Sequence, residues 1–339
     1  MSRNKTALVI GGGKFLGRAV VERLLSDGIE TSMLTRGLEP NPSEGRVEWL
    51  KCDRDDQKTF DELLGKRDFD YVVDIISYTP WHAKHAAEFF LGRTSRFIHI
   101  STAAVYLLDK HTPLPFKEEE SPDCKDKSIA KKSPLLAYAI DKRDAEIEME
   151  NAIGEKGFPA VILRPPVICG IHDYTQRDFG YIQRVQDDGP VLSSIERMAS
   201  FRHVFVDDVV EAVMLSLDNR DAVGETFNIA SYSILSLKEY LSILGRAFDK
   251  EVEIRYLSHK ILKENLGSIY CPFAYPRDFI QDLFKARHIL GFKPSRSEKW
   301  LADLAHYFAN DYKGDPPKDY KSHRNKEMEL MKDLEGEKV

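Results

Sequence analysis

A tyrosine and a lysine stand four residues apart in the chain, as Tyr138 and Lys142. Tyrosine titrates near pH 10, so a tyrosine base near pH 7 needs its pKa lowered by roughly three units, or about 4 kcal/mol. On a helix the two side chains share one face, where the lysine ammonium can stabilise the phenolate. Thr102, at the end of a candidate strand, could hold a substrate oxygen while Tyr138 moves the proton and a nicotinamide cofactor moves the hydride. We therefore predict that Thr102, Tyr138 and Lys142 are catalytic.

Glycines follow the apolar run at residues 7–10 and precede a candidate helix at 18–25. A strand, a tight glycine turn and a helix N-terminus can together hold a pyrophosphate. The strict G-x-G-x-x-G pattern does not fit, but a wider frame from Gly11 to Gly17 does, and its middle position is Lys14. A cation there could reach a phosphate or clash with a bound dinucleotide. The predicted cofactor-binding residues of the loop are Gly11, Gly12, Gly13, Lys14, Phe15, Leu16 and Gly17. Tyr138 and Lys142 are predicted to bind the cofactor as well, Lys142 by holding the ribose.

Two further residues bear on the identity of the cofactor. An acidic residue commonly closes the second strand to bind the ribose 2′-hydroxyl of NAD, whereas this chain has Arg36 there. The planar guanidinium can bind a 2′-phosphate, with Lys14 nearby, which favours NADP over NAD. Asp53 closes the next strand and could accept a hydrogen bond from the adenine amino group, or it could simply form a turn. We predict NADP as the cofactor, with NAD as the alternative.

The elements that must position these residues alternate along the first half of the chain. Strand candidates lie at 7–10, 31–35, 47–52, 71–76, 96–101 and 160–163, with helices at 57–64 and 81–91. This alternation predicts an α/β fold of the Rossmann type, a doubly wound parallel sheet whose strand C-termini share one ligand-binding edge. After Pro165 the alternation weakens, which predicts a smaller C-terminal substrate lobe. That lobe is expected to be discontinuous, because residues 226–230 again resemble a buried strand.

These patterns predict three segments. A Rossmann domain covers residues 1–165 and is joined by 200–230, a substrate lobe covers mainly 166–312, and a charged tail covers 313–339. The tail is expected to be solvated or helical, because Lys, Glu and Asp dominate it.

Composition narrows the possible partners and the compartment. A formal net charge of −6 disfavours nucleic-acid binding. No apolar run is long enough to span a membrane, and the start lacks the apolar stretch of a signal peptide. The cysteines are scattered without C-x-x-C spacing, as Cys52, Cys124, Cys169 and Cys271. His172 and His203 lack a second ligand at metal-binding spacing, so no metal site is expected. We predict a cytoplasmic protein with a small-molecule substrate.

Several motifs together resemble the extended short-chain dehydrogenase/reductase superfamily, in its NAD(P)-dependent epimerase/dehydratase family. The resemblance covers residues 6–308 and is carried by the loop at 11–17, the strand end at 101–106, the pair at 138–142, Leu163-Arg164-Pro165, residues 206–209, Phe227-Asn228 and residues 285–294. It implies a Rossmann domain with a smaller C-terminal substrate lobe, and Thr102, Tyr138 and Lys142 as the catalytic set. It also implies a homodimer.

Departures from the family pattern narrow the function further. Members that dehydrate nucleotide sugars carry Asp-Glu directly after the catalytic threonine, whereas Ala103 and Ala104 stand here. A 4,6-dehydratase is therefore not expected. Many nucleotide-sugar enzymes carry an asparagine where this chain has Val167, which weakens that part of the resemblance. The lysine in the glycine loop resembles a divergent subgroup with Gly-Gly-Thr-Arg-Phe-Leu-Gly, which includes bacterial reductase-like proteins and plastid proteins that bind RNA.

Two functions follow from these observations. The first is an NAD(P)-dependent oxidoreductase or epimerase acting by hydride transfer at a secondary alcohol or ketone of a small polar substrate, which could be a nucleotide sugar. The second is a non-catalytic protein on the same fold that senses a dinucleotide or binds RNA. Four arginines could clamp a substrate diphosphate or carboxylate, or lie on a solvated loop: Arg177, Arg184, Arg197 and Arg202.

Overall fold

The chain divides into two structural units, and the glycine loop belongs to the first. The computed structural model describes residues 4–41, 43–124, 126–187, 189–267, 273 and 275–336, so Cys271 lies outside the described residues. Unit 1 comprises Met1–Ile168, His203–Ala230 and Gln281–Pro294. Unit 2 comprises Cys169–Arg202, Ser231–Ile280 and Ser295–Val339.

Strands and helices alternate through unit 1. The strands of the chain are β1 Thr6–Ile10, β2 Glu30–Thr35, β3 Glu48–Lys51, β4 Phe69–Asp74, β5 Thr94–Ile100, β6 Ala160–Arg164, β7 Ile168–Cys169, β8 Val191–Ser194, β9 Val204–Phe205, β10 Thr226–Asn228 and β11 Ile254–Leu257. The α-helices are α1 Phe15–Ser26, α2 Gln57–Leu64, α3 Pro80–Phe90, α4 Pro134–Lys156, α5 Arg177–Gln186, α6 Val206–Leu217, α7 Leu237–Arg246, α8 His259–Leu266, α9 Ser297–His306 and α10 Tyr320–Gly336.

The central sheet of unit 1 has seven strands in the order β10-β6-β5-β4-β1-β2-β3, and every neighbouring pair is parallel. Each strand candidate of the sequence overlaps one of these strands, so the predicted doubly wound Rossmann fold is confirmed. The strand order reverses between β1 and β4, and ligands of such sheets bind at the C-terminal ends of the strands beside that point. The glycine loop follows β1 directly.

Apolar strands allow both faces of this sheet to be covered by helices. On one face Leu8 and Ile10 of β1 pack in a core with residues of α2, α3 and α4. On the other face Ala7 and Val9 pack in a core with residues of α1 and α6. The side chains of a strand alternate between faces, so a strand buried on both sides must be apolar at successive positions.

The segment Gln281–Pro294 belongs to unit 1, whereas the sequence pattern assigned it to the second lobe. Ala286, Leu290 and Phe292 are buried in the same core as α1 and α6. The side-chain amide of Asn219 also donates to the carbonyl oxygen of Ile289 at 2.8 Å. Within this segment Ala286–Leu290 forms one turn of π-helix, which lacks the strand–helix alternation on which the prediction depended.

Unit 2 contains a small parallel pair, β8 and β11, and the charged C-terminal tail. The tail forms α10, which two buried arginines attach to the rest of this unit. Arg324 contacts the carboxylate of Asp187 at 2.8 Å, and Arg184 contacts that of Glu327 at 2.5 Å. No helix of the described residues is both long and apolar enough to cross a membrane.

Candidate active site

The glycine loop brings the N-terminus of α1 against the end of β1. Gly11 has φ +93°, a conformation that side chains disfavour, and its N–H donates to the carbonyl oxygen of Leu34 at 2.9 Å. A Cβ atom on Gly17 would lie 2.1 Å from the carbonyl oxygen of Gly11. The helix can therefore approach the turn only because residue 17 has no side chain. This turn and helix N-terminus fit the pyrophosphate of a dinucleotide.

Lys14 replaces the middle glycine of the loop without backbone strain. Its φ of −136° and ψ of 152° are an extended conformation open to any residue, and it is the N-cap residue of α1. The neighbouring Phe15 takes the left-handed conformation instead, with φ +39°. The Lys14 ammonium lies 2.8 Å from a carboxylate oxygen of Glu39, and both side chains are 55% exposed. The lysine therefore extends towards the segment that follows β2.

Arg36 and Asp53 lie just beyond the C-terminal ends of β2 and β3. Arg36 is exposed directly after Thr35, whose hydroxyl oxygen accepts hydrogen bonds from the Gly37 N–H and the Trp49 indole. Asp53 is exposed, and its Oδ1 accepts from the backbone N–H of Asp55 at 3.0 Å. Asp53 thus makes a turn-forming contact, which is the alternative to adenine binding given in the sequence analysis.

Helix α4 carries Tyr138 and Lys142 past the C-terminal end of β5. The helix begins at a cap made by Ser133, whose side chain accepts from the backbone N–H of Leu135, followed by Pro134 in the first turn. Tyr138 is 37% exposed. One turn later the side chain of Lys142 is almost completely buried, because α4 lies against the sheet.

The ammonium of Lys142 lies between two backbone carbonyl groups. It donates to the oxygen of Ile100 at 2.6 Å and to that of Ser77 at 2.9 Å. Burial lowers the pKa of Lys142 to about 8, although the charges of Asp74 and Glu146 oppose the change. A lysine held this way is a fixed positive charge at the end of β5. Two of its three N–H groups are used by the carbonyl oxygens, and its Nζ also lies 5.2 Å from the centre of the Tyr78 ring.

Thr102 lies two residues beyond Ile100 and is buried. Its hydroxyl oxygen accepts from the backbone N–H of Ala104 at 3.2 Å and so caps the 3₁₀-helix Ala103–Leu108, which contacts α4. The structure therefore brings Thr102, Lys142 and the helix bearing Tyr138 together at one strand end.

A buried ion pair, which the sequence patterns did not predict, links α4 to the end of β6. Arg164 at the end of β6 donates from Nε and Nη2 to the two oxygens of Glu146, at 2.8 and 2.7 Å. Its Nη1 also donates to the hydroxyl of Tyr106, which in turn donates to Asn228. Burial raises the pKa of Glu146, but the charge and hydrogen bonds of Arg164 hold it below the usual value. The sequence does contain one feature that could have predicted Glu146. It is a carboxylate four residues after Lys142, a spacing that places both side chains on one helix face.

A second buried polar cluster lies beside Lys142. Asp74 accepts from Arg54 at 2.9 Å and is the register partner of His99 on the neighbouring strand. Burial, then the charge of Lys142, lowers the pKa of His99 to about 3. The imidazole is therefore neutral at pH 7 and adds no charge beside the lysine.

The four arginines proposed as a substrate clamp have separate partners within unit 2. Arg184 is bound by Glu327 and is therefore a structural residue. Arg177 donates to the hydroxyl of Thr175, and Arg197 contacts His259 at 3.3 Å. Arg202 donates to the carbonyl oxygen of Ser231. Within the described part of the chain, no group of three histidine, cysteine or acidic side chains could hold a metal ion.

Comparisons with known proteins identify the family and the fold. Residues 7–230 match the family described as "NAD dependent epimerase/dehydratase family". A curated relative is the chloroplast stem-loop binding protein of 41 kDa b of Arabidopsis thaliana, 25% identical over 86% of this chain and 76% of that protein.

Two solved structures share the fold. An epimerase from Methanothermobacter thermautotrophicus is 18% identical, with a TM-score of 0.72 and 95% of each chain covered. The dTDP-glucose 4,6-dehydratase from Bacillus anthracis, in complex with NAD, is 14% identical, with a TM-score of 0.71 over 91% of this chain and 97% of that one. The family match covers more than half of the chain. The protein belongs to the NAD dependent epimerase/dehydratase family and is an enzyme of the extended short-chain dehydrogenase/reductase type.

Proposed function

We propose that the protein is an NAD(P)-dependent oxidoreductase or epimerase that acts at a secondary alcohol or ketone of a small polar substrate, which could be a nucleotide sugar. The observation that carries this proposal is the anchoring of Lys142. Its ammonium is buried between the carbonyl oxygens of Ile100 and Ser77, one helical turn from Tyr138. A positive charge held there is what lowers the pKa of a tyrosine base.

Each member of the catalytic set has a defined role. The Thr102 hydroxyl orients the substrate oxygen, and the Tyr138 phenolate accepts the hydroxyl proton as the alcohol becomes a ketone. Lys142 stabilises that phenolate and donates its remaining N–H to a ribose hydroxyl. The glycine loop and Lys142 would hold a nicotinamide cofactor, which would supply the hydride acceptor for that carbon. In the reverse direction Tyr138 returns the proton to the substrate oxygen.

The residues after Thr102 argue against a 4,6-dehydratase. Elimination of water needs a proton donor and a proton acceptor beside the sugar. Ala103 and Ala104 are buried there, and their methyl groups can do neither. The reaction proposed here is therefore hydride transfer without loss of water.

NADP is the proposed cofactor, with NAD as the alternative. Arg36 is exposed at the end of β2, and among the described residues its side chain has no hydrogen bond or ion pair. A guanidinium available at that position suits a 2′-phosphate. Lys14 lies on the loop beside it and would add a second positive charge.

A homodimer in the cytoplasm completes the proposal. The family resemblance supports the dimer, and the scattered cysteines, which lack C-x-x-C spacing, suit a reducing compartment. Light scattering of the purified protein should give about twice the chain mass of 38.8 kDa. A single-chain mass at micromolar concentration would contradict the dimer.

The first experiment is mass spectrometry of the small molecules released from freshly purified protein. Retained NAD(H) supports an epimerase, which recycles its cofactor, whereas empty protein that binds added NADPH supports a reductase. Protein that binds neither dinucleotide overturns the proposal. With dTDP-glucose and UDP-glucose as probes for nucleotide sugars, net oxidation or reduction is then followed by nicotinamide absorbance, and epimerisation by the change in sugar configuration.

Tyr138→Phe tests the catalytic assignment on whichever substrate reacts. It should lower the hydride-transfer rate by about 10²- to 10⁴-fold and weaken dinucleotide binding far less. Tyr256→Phe is the matched control, because Tyr256 on β11 is 36% exposed against 37% for Tyr138. Full turnover in Tyr138→Phe would refute the role of the tyrosine.

RNA binding is a second candidate function, because one relative is named a stem-loop binding protein. The formal net charge of −6 opposes it, since RNA affinity depends on neutralising phosphates. Fluorescence anisotropy with a labelled stem-loop RNA, at two salt concentrations, tests it. Salt-dependent saturable binding by the purified chain would support this second function.

A further inference from the structure

An ion pair lies beside the position where the ribose of a dinucleotide would bind. Lys14 belongs to the glycine loop after β1, and Glu39 belongs to the segment after β2. The strands β1 and β2 are paired, and Ile10 and Leu34 are their last register partners. The Lys14 ammonium and the Glu39 carboxylate are 2.8 Å apart. In a sheet of this type the ribose of the adenosine lies at the C-terminal end of the second strand. The pair therefore spans the place where a 2′-hydroxyl or a 2′-phosphate would lie.

This ion pair is weak enough for a ligand to break. Both side chains are 55% exposed, so water and salt screen their attraction. A phosphate monoester carries up to two negative charges and three acceptor oxygens, and it would compete with a single carboxylate for the Lys14 ammonium. Binding of NADP would therefore require Lys14 to leave Glu39 for the phosphate.

Glu39 affects the two cofactors in opposite directions. Once Lys14 contacts a 2′-phosphate, the Glu39 carboxylate is a like charge close to that phosphate, which raises the free energy of the NADP complex. A 2′-hydroxyl can instead donate a hydrogen bond to the same carboxylate. Arg36 and Lys14 thus favour NADP, whereas Glu39 favours NAD.

We propose that Glu39 is a specificity-determining residue, which limits the preference for NADP by holding Lys14 and by opposing the 2′-phosphate. This inference rests on the proposed dinucleotide binding and assigns one residue a task within it. The enzyme would then bind both cofactors, with a ratio of affinities set by the contest between Arg36 and Lys14 on one side and Glu39 on the other.

The test measures the dissociation constants of NADP and NAD for the full-length chain by calorimetry, so it requires no substrate. Glu39→Gln should tighten NADP binding by about threefold to tenfold and leave NAD binding unchanged or weaker. The effect should shrink at high salt, because it is electrostatic. Lys14→Gln should weaken NADP binding by a similar factor.

Glu22→Gln is the matched control. Glu22 also joins α1 to the segment between β2 and β3, through an ion pair of 2.6 Å with Arg46, but it lies two helical turns further along α1. This variant should keep the wild-type ratio of affinities within about twofold. If Glu39→Gln also keeps that ratio, the inference is overturned.

Arg36→Ala separates this inference from the proposed cofactor. A wild-type preference for NADP that disappears in Arg36→Ala but is unchanged in Glu39→Gln overturns the role of Glu39 and leaves the proposed cofactor intact. Equal binding of NADP and NAD that neither variant changes overturns both assignments. A protein that binds neither dinucleotide also overturns both.

Discussion

Lys142 donates a hydrogen bond of 2.6 Å to the carbonyl oxygen of Ile100, the last residue of β5. Thr102 follows two residues later, so one strand end carries both the anchor of the lysine and the hydroxyl of the proposed catalytic set. A second hydrogen bond, to Ser77, attaches the lysine to the segment after β4. The ammonium is therefore positioned by two backbone groups, which side-chain rearrangements cannot easily move.

Burial of Lys142 should make the free energy of unfolding depend on pH. The folded pKa is about 8 and the ordinary value is 10.5, so the unfolded chain binds more protons between them. Stability should therefore rise as pH increases from about 8 to 10.5, by up to about 3 kcal/mol relative to Lys142→Met. Urea unfolding of the dinucleotide-free proteins across this range measures the difference. Parallel pH profiles for the two proteins would contradict the lowered pKa of Lys142 in the folded chain.

The contact between α1 and the glycine turn should tolerate no side chain at residue 17. In Gly17→Ala the added methyl group would lie 2.1 Å from the carbonyl oxygen of Gly11, so the helix must move. We expect a loss of about 2–4 kcal/mol in unfolding free energy and at least about tenfold weaker dinucleotide binding. Urea unfolding and calorimetry measure the two effects.

Gly154→Ala is the control for that substitution. Gly154 lies within α4, and a Cβ atom there would have no neighbour within 4 Å. Alanine should therefore stabilise the helix by up to about 1 kcal/mol without affecting the cofactor. Wild-type dinucleotide affinity in Gly17→Ala would mean that the loop does not bind the pyrophosphate.

Local sequence patterns were sufficient to predict the fold of unit 1. Runs such as residues 7–10 are apolar at successive positions, as a strand buried on both faces requires, and the intervening helices have one apolar face. The segment Gln281–Pro294 could not be assigned in this way. Its place depends on Ala286 and Leu290 packing against α1 and α6, helices that are distant in the chain.

For the candidate site, the sequence predicted which residues take part but not the contacts that they make. The spacing of Tyr138 and Lys142 places them on one helix face, but no local pattern shows which atoms the ammonium contacts. Glu39 and Glu146 were not identified, because their partners, Lys14 and Arg164, are separated from them by 25 and 18 positions. Ion pairs between distant segments depend on the tertiary fold.

The buried pair of Glu146 and Arg164 should contribute more to stability than an exposed pair. Glu146→Gln would leave the Arg164 guanidinium buried without a counter-charge, which should cost about 3–5 kcal/mol. Glu211→Gln is the control, because Glu211 and Arg23 are 2.9 Å apart on the surface, where such a pair contributes about 1 kcal/mol or less. Equal losses in the two variants, measured by urea unfolding at neutral pH, would contradict this argument.

Asp178 in unit 2 should reduce stability at neutral pH. Burial raises its pKa to about 6, although the hydroxyl of Tyr240 donates to Oδ1 at 2.6 Å. The folded chain therefore binds more protons than the unfolded chain between about pH 4 and 6, and unfolding free energy should fall as pH rises through that range. Asp178→Asn should remove this slope and add about 1–3 kcal/mol at pH 7. Asp187→Asn should instead lower the free energy of unfolding at pH 7, because the ion pair with Arg324 is lost. An unchanged pH slope in Asp178→Asn would refute the raised pKa of Asp178.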